Sequence, residues 1–333
     1  MKWYKIKSKW LLILILFLVI LLISVVYKMQ NAKVIEAYVE IPQNSSVKSV
    51  AKILKEKGII KNPYLFMLYV KAKKCRLAAG NYRLSSSMSY KELCEALQKG
   101  VVFKKTVRFT IPEGFTCVQI AEKLSSLGIV DRERFLNEIN NCNFDFQFKY
   151  PSKNVKYKLE GFLYPDTYEV FEGESEKDII KRMLNRFVDV YNSIKNSKTT
   201  QLSDIQTIIL ASIVEKEAKK DFERPLIAGV FINRLNQGMR LESCATVEYI
   251  LPVHKEVLSL SDVRIKSPYN TYLYNGLPPS AICNPGRKSL LAALNPQKTD
   301  YLFFVARKDG THVFSKTFEE HINAQKEIEE GEK

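Results

Sequence analysis

The chain has 333 residues, 46% of them apolar, so it can bury one large core or two ordinary ones, and a disordered chain is excluded. Its formal charge is +15. Six cysteines without a CxxC spacing exclude a zinc knuckle or a thioredoxin motif, and three histidines without an HExxH pair exclude the common zinc-protease helix.

The first element is asymmetric in charge. KWYKIKSK carries Lys2, Lys5, Lys7 and Lys9, and WLLILILFLVILLISVVY, residues 10–27, follows with no charge at all. At 1.5 Å per residue that stretch reaches roughly 27 Å, about the thickness of a bilayer core. A cleavable signal peptide has a shorter apolar core and a small-x-small site, whereas here Ser24 is followed by Val25, Val26, Tyr27 and Lys28. The expectation is a cytoplasmic tail at 1–9, one uncleaved transmembrane helix at 10–27, a linker at 28–35, and the remainder outside the cytoplasm. That remainder keeps about +9. Such a charge suits an anionic envelope or lipid surface, or is simply a set of solvated lysines, and this topology excludes nucleic acid as a partner.

Two segments seventy residues apart then begin alike: IPQNSSVKSVAKILKEKGII from Ile41 and IPEGFTCVQIAEKLSSLGIV from Ile111. Each reads as a strand ending in Ile-Pro, a hydroxyl cap (Ser45 or Ser46, and Thr116), an amphipathic helix, and a glycine past its end. The pattern predicts one small strand-helix unit used twice. After the first copy, NPYLFMLYVKAKK reads as a helix, AGNYRLSS as a strand, and SYKELCEALQKG as a helix ended by Gly100, giving an α+β module over 36–100. A strand in VVFKKTVRFTI, the second copy and a polar connection around NNCNFDFQFKYPSKNVKYK fill 101–155.

From 156 to 333 the pattern predicts a larger mixed α+β domain. LEGFLYPDTYEV reads as loop and short strand, and SEKDIIKRMLNRFVDVYNSIK as an amphipathic helix capped by Ser175. SDIQTIILASIVEKEAKK and ERPLIAGVFINRLNQGM are further helices, the second ended by Gly238. YLFFVARKDGTHVFS reads as a hairpin around Asp309 and Gly310, followed by a charged terminal helix.

ASIVEKEAKK carries two glutamates two residues apart. At about 100° per residue, Glu215 falls on the face of Ile208, Ala211 and Ser212, and Glu217 about 160° away, so the two cannot act as a pair on one substrate face. The run 208–214 is apolar on nearly every side, which predicts a buried helix with Glu215 entering a desolvated place. Burial and a helix C-terminus both favour a carboxyl's protonated form, which a general acid requires. The competing role is a helix-end ion pair of Glu215 with Lys216, Lys219 or Arg224. Glu217 is expected to be a solvated or ion-paired residue.

Other polar candidates cluster in aromatic company. Glu160 and Asp166 lie among Phe162, Tyr164 and Tyr168, and SPYNTYLYNGLPP offers Tyr269, Asn270, Tyr272 and Tyr274. Aromatics beside amides and carboxylates suit a sugar, although each ring alone equally suits a core beneath a proline-rich loop.

Taken together, LEGFLYPDTY, ASIVEKEA, VFINRLNQGMRL, YNTYLYNGLPPSAICNPG and THVFS with His321 resemble the endolytic murein transglycosylase (MltG, YceG-like) family, in order and spacing. The resemblance covers the anchor, the module at 36–100 as a LysM-like subdomain, and all of 155–325. It implies an anchored lytic transglycosylase that cuts within nascent peptidoglycan strands near the membrane, with cell-wall synthases as further partners and neither cofactor nor metal. The family's catalytic glutamate falls on Glu215. It would protonate the oxygen between N-acetylmuramic acid and N-acetylglucosamine, after which the muramic C6 hydroxyl attacks C1 and leaves a 1,6-anhydro end. One carboxyl can then serve both steps, whereas an ordinary glycosidase needs two. The resemblance also implies substrate contacts at Glu160, Tyr164, Asp166, Ser212, Asn233, Glu242, Thr246, Tyr269, Asn270 and Tyr272. Where the family pattern has Gln-Thr-Asp-Pro-Thr, this chain has Glu242, Ser243, Cys244, Ala245 and Thr246, so any role of that aspartate is lost. A muramidase-type hydrolase and a non-catalytic glycan-binding scaffold are the alternatives.

Overall fold

The computed structural model describes residues 34–99, 106–141, 143–151, 153–253, 255 and 257–330. The expected tail at 1–9, the expected span at 10–27, most of the linker, Gly100 and Cys142 lie outside them. Among the described residues no helix is long and apolar enough to cross a membrane. The chain divides into two compact units at Lys105/Thr106, each with its own hydrophobic core.

The first unit runs β1 (Glu36–Ile41), α1 (Val47–Glu56), α2 (Pro63–Ala72), β2 (Gly80–Ser85) and α3 (Tyr90–Lys99). β1 and β2 pair antiparallel with Val39 opposite Tyr82, and their alternation sends Val39, Ile41, Tyr82 and Leu84 inward. These meet Val50 and Leu54 of α1, Phe66 of α2, and Leu93 and Leu97 of α3. Ser46 caps α1 by accepting the Ser49 N–H, and Asn62 caps α2 by accepting those of Tyr64 and Leu65.

The second unit opens on the same order: β3 (Thr106–Thr110), α4 (Cys117–Ser126), α5 (Arg132–Asn141) and β4 (Thr167–Phe171), with β3 antiparallel to β4. The expected duplication is therefore structural, and it extends past the strand-helix pair to a whole β-α-α-β turn of chain. The connection 143–158, polar by composition, is anchored by aromatics. Phe146, Phe148 and Tyr150 lie with ring centres 5.1–5.8 Å from that of Phe162, and Phe187 joins them at 5.3 Å.

A helical layer completes the core. It contains α6 (Glu176–Ile194, capped by Ser175), α7 (Asp204–Glu217), α8 (Arg224–Asn236), the short α9 (Cys244–Glu248) and α10 (Arg287–Leu294). α7 starts in a capping box, Ser203 with Gln206, and every residue from Thr207 to Val214 is buried, as its all-round apolarity requires. α10 packs on both α7 and α8. A hairpin of β5 (Phe303–Ala306) and β6 (His312–Ser315) turns at Asp309 and Gly310, and α11 (Phe318–Glu330) packs on it. Cys75, Cys94, Cys117, Cys244 and Cys283 are free thiols.

Candidate active site

Glu215 occupies the last turn of α7, with its side chain only 6% exposed. The helix-end ion pair with Arg224 forms, Nη1 lying 3.3 Å from Oε1, while the Gly286 N–H donates to Oε2 at 2.9 Å. Gly286 is the N-cap of α10, so the carboxylate faces the positive end of a helix dipole as well as a guanidinium. Arg224 is itself held by Asp221 (Nε to Oδ1, 3.1 Å) and by Ser289 Oγ at 2.5 Å.

Two loops are laid over this helix end. Ser212, one turn before Glu215, accepts the Ile282 N–H at 3.0 Å and donates to the Ile209 carbonyl, and the Cys283 thiol donates to the Ser212 carbonyl. These bonds press residues 282–286 along the Glu215 face of α7. The loop before α4 then pairs with that segment: Gly114 N–H donates to the Asn284 carbonyl (2.9 Å) and Asn284 N–H to that of Phe115 (2.8 Å). Gly114 is left-handed (φ 76°), and a Cβ there would lie 3.6 Å from Glu215 Cγ.

Beneath the loops sits Glu160, fully buried. It accepts the Cys117 N–H (2.9 Å), the Tyr249 hydroxyl (2.9 Å) and the Asn284 side-chain amide (3.1 Å). Burial pushes its carboxyl up to about 7, against the opposing hydrogen bonds from Tyr249 and Cys117 and the charge of Lys156. With no exposed surface, Glu160 shapes the loops and cannot meet a glycan in this geometry, which corrects its expected substrate contact.

The other expected contacts divide between structural and open positions. Asn270 is fully buried and donates to the Val263 and Ile265 carbonyls, and Thr246, also fully buried, bonds Thr271 Oγ1 and the Ser243 carbonyl. Tyr269 is buried against Tyr249, its hydroxyl shared by Ser280 and the Lys156 N–H. Asn233 is spent on the Thr299 and Tyr301 carbonyls, Ser212 on the loop just described, and Asp166 on Arg186 at 2.6 Å. For these residues an internal partner already satisfies each bonded group. Tyr164, nearly buried, has Arg186 over its ring at 5.8 Å. Glu242 is open to solvent, pairs with Arg234 at 3.2 Å and holds a left-handed backbone (φ 51°), a strained state for a residue with a side chain. Tyr272 is half-buried with its hydroxyl on Cys244 Sγ.

Glu217 is a correction. It does lie on the other side of α7, but it is half-buried, and among the described residues its carboxylate is bonded by a hydroxyl instead of a cation. The chain at 243–248 covers that side too, the Ser243 hydroxyl donates to its carboxylate at 2.5 Å, and burial raises its pKa.

Glu113 is the functional candidate that sequence reasoning passed over. Its carboxyl lies so close to Gly286 that a Cβ on that glycine would fall 1.9 Å from Glu113 Oε1. The available signal was a comparison of the two copies: Gln43 in the first corresponds to Glu113 in the second. A cavity of about 520 Å³ beside the 143–158 connection, lined by Phe144, Phe146, Tyr150, Lys149 and Lys158 among others, does not include Glu215. Among the described residues no group of His, Cys, Asp and Glu is placed to hold a metal ion.

Comparison with known proteins finds that the profile of the YceG-like family matches residues 39–327. An endolytic murein transglycosylase of Bacillus subtilis is 36% identical over 86% of this chain and 83% of its own length. One from Streptococcus pneumoniae is 34% identical over 85% of this chain, which spans 56% of that longer relative. A crystal structure of a YceG-like protein from Listeria monocytogenes, 37% identical, aligns with a TM-score of 0.61 over 86% of this chain and 98% of that one.

Proposed function

The chain belongs to the YceG-like family, and from that membership we propose that it is a membrane-anchored, endolytic lytic transglycosylase of peptidoglycan. It breaks the bond from C1 of N-acetylmuramic acid to N-acetylglucosamine within nascent strands and leaves 1,6-anhydro ends, which limits strand length. We assign Glu215 as the catalytic carboxyl. One observation carries this: Glu215 is the carboxylate on which α7, the Gly286 N-cap and Arg224 converge, and its side chain is almost wholly withdrawn from water. Such a site stabilises charge at a sugar C1 far better than a solvated one.

The anchor is supported by the charge-free residues 10–27 behind four lysines, and that topology puts the bulk of the chain outside the cytoplasm. The β-α-α-β order of the first unit supports its reading as a LysM-like module. Un-crosslinked strands emerge from synthases beside the membrane, so this enzyme shares their product.

Mass analysis of products from un-crosslinked glycan tests the reading. The wild type yields 1,6-anhydro ends, and Glu215→Gln lowers the rate by about 10²–10⁴-fold. Hydrated reducing ends would make it a muramidase-type hydrolase, and an unimpaired Glu215→Gln would make it a scaffold.

A further inference from the structure

The one-carboxyl scheme asks Glu215 first to give a proton and then to take one, yet its carboxylate is engaged by Arg224 and by the Gly286 N–H. A second carboxyl stands at the same glycine. The Glu113 side chain covers the Cα of Gly286 while Glu215 holds its N–H, so the two carboxyls meet on one residue. Glu113 is exposed where Glu215 is withdrawn, which leaves it open to a glycan strand laid against this surface. Its backbone is fixed by the Gly114–Asn284 and Asn284–Phe115 bonds, so the carboxyl is presented by a pinned loop.

We propose that Glu113 is a second catalytic carboxyl, which delivers the proton to the glycosidic oxygen while Glu215 receives the proton of the attacking hydroxyl. This rests on the transglycosylase reading above. As the bond from muramic C1 to the bridging oxygen breaks, its electron pair leaves with that oxygen, which takes the Glu113 proton and becomes the 4-hydroxyl of N-acetylglucosamine. The C6 oxygen supplies the pair for the new bond to C1, and its proton passes to Glu215. Return of that proton to Glu113 resets the pair, and no water, oxidant or cofactor enters.

The surroundings fit a proton-bearing Glu113. Partial burial and the charge of Glu215 push its carboxyl up, Arg224 and Lys288 pull it down, and Asp221 adds to the rise. Tyr164, whose hydroxyl is raised by burial and by Glu113, is a further titratable neighbour, and Lys216 beside Gly114 and Arg287 beside Gly286 add positive charge nearby. Arg224 and Lys288 are both ion-paired to Asp221, which divides their charge between two partners. Paired carboxyls held in unlike surroundings, here one exposed and one withdrawn, are how acid and base roles are divided in one site.

The test is cleavage of un-crosslinked glycan by the full chain in detergent micelles, followed against pH. Glu113→Gln is expected to lower kcat by about 10²–10⁴-fold, with KM little changed, and to abolish the high-pH limb of the wild-type profile. Gly286→Ala, whose methyl expels the flexible Glu113 side chain without removing a charge, is expected to show the same loss. Thermal unfolding separates a chemical from a structural effect, since a carboxyl whose ionised form is disfavoured in the fold should not lower the Tm when replaced by Gln. A Glu113→Gln variant that keeps the wild-type rate, or loses rate equally at every pH with the limb intact, overturns the proposal and leaves the transglycosylase reading standing. Hydrated ends from the wild type overturn that reading and the C6-hydroxyl step together.

Discussion

Residues 41–46 and 111–116 make the same corner with different consequences. Both leave a strand through Ile-Pro and turn through a left-handed residue, Asn44 at φ 59° and Gly114 at φ 76°. Both enter a helix under a hydroxyl cap and leave it by a left-handed glycine, Gly58 or Gly128. In the first copy Val47, at the helix start, is 38% exposed. In the second, Cys117 at that position is fully buried with its N–H on Glu160, and the preceding loop is bonded on both sides of Asn284. The local instructions build a strand-to-helix corner twice. A candidate site arises only where a segment 169 residues away in sequence clasps the corner and, through the Gly286 N–H, holds the Glu215 carboxylate of α7 beside it.

That difference can be broken at its clasp. Asn284→Ala strands the buried Leu163 N–H and takes one hydrogen bond each from the Phe115 carbonyl and the Glu160 carboxyl, which keep the backbone N–H of residue 284 and the Cys117 and Tyr249 donors respectively. The expected cost is roughly 3–5 kcal/mol. Amide exchange should speed up across the second unit and stay unchanged at residues 34–99.

Glu160 gives the next effect, through pH. Its folded pKa of about 7 lies above the ordinary 4.5, so the native state holds the proton more tightly than the unfolded chain. The associated stability is fully present below about pH 4.5 and is lost as pH rises through about 7, on the order of 3 kcal/mol in all. Tm measured from pH 4.5 to 8 should fall less steeply in Glu160→Gln. Glu217 and Glu113, whose carboxyls are also raised by burial, add to the slope that remains, and His321, lowered by burial, opposes it. The first copy has no carboxylate at this place, so exchange in the first unit should not follow that trend.

The corners themselves separate by less. Gly114→Ala forces a side chain into a left-handed backbone at about 1–2 kcal/mol, while Asn44→Gly at the corresponding turn should stay within about 0.5 kcal/mol of wild type. Urea midpoints read both. Removing the caps should barely distinguish the copies: Ser46→Ala and Thr116→Ala each lose one hydrogen bond to a helix N–H, about 1 kcal/mol apiece, each felt only in its own unit. Unequal costs would show that the caps, too, depend on distant packing.

Much of the fold was legible because its determinants are close in sequence. Ser46, Thr116, Ser175 and Ser203 stand three residues before the N–H groups they cap, and Asp309 turns the hairpin by bonding two residues on. The uniform apolarity of 207–214 implied a helix enclosed on every side, and the helical angle put Glu215 and Glu217 on different faces. What encloses Glu217 was not legible, because Ser243 reaches it from 26 residues away. Nor was the internal use of Glu160, Asn233 and Asn270, whose polarity suited a sugar as well as it suits a carbonyl.

By itself the sequence determined the helices, strands, caps and duplicated corner, since these follow from backbone preferences and from hydrogen bonds spanning a few residues. It also singled out Glu215 by its place on an apolar helix. Only the tertiary structure decided the company Glu215 keeps. Arg224, Gly286 and Glu113 come from three other segments, and a carboxylate's chemistry is set by the charges and the dryness around it, which depend on how distant segments pack.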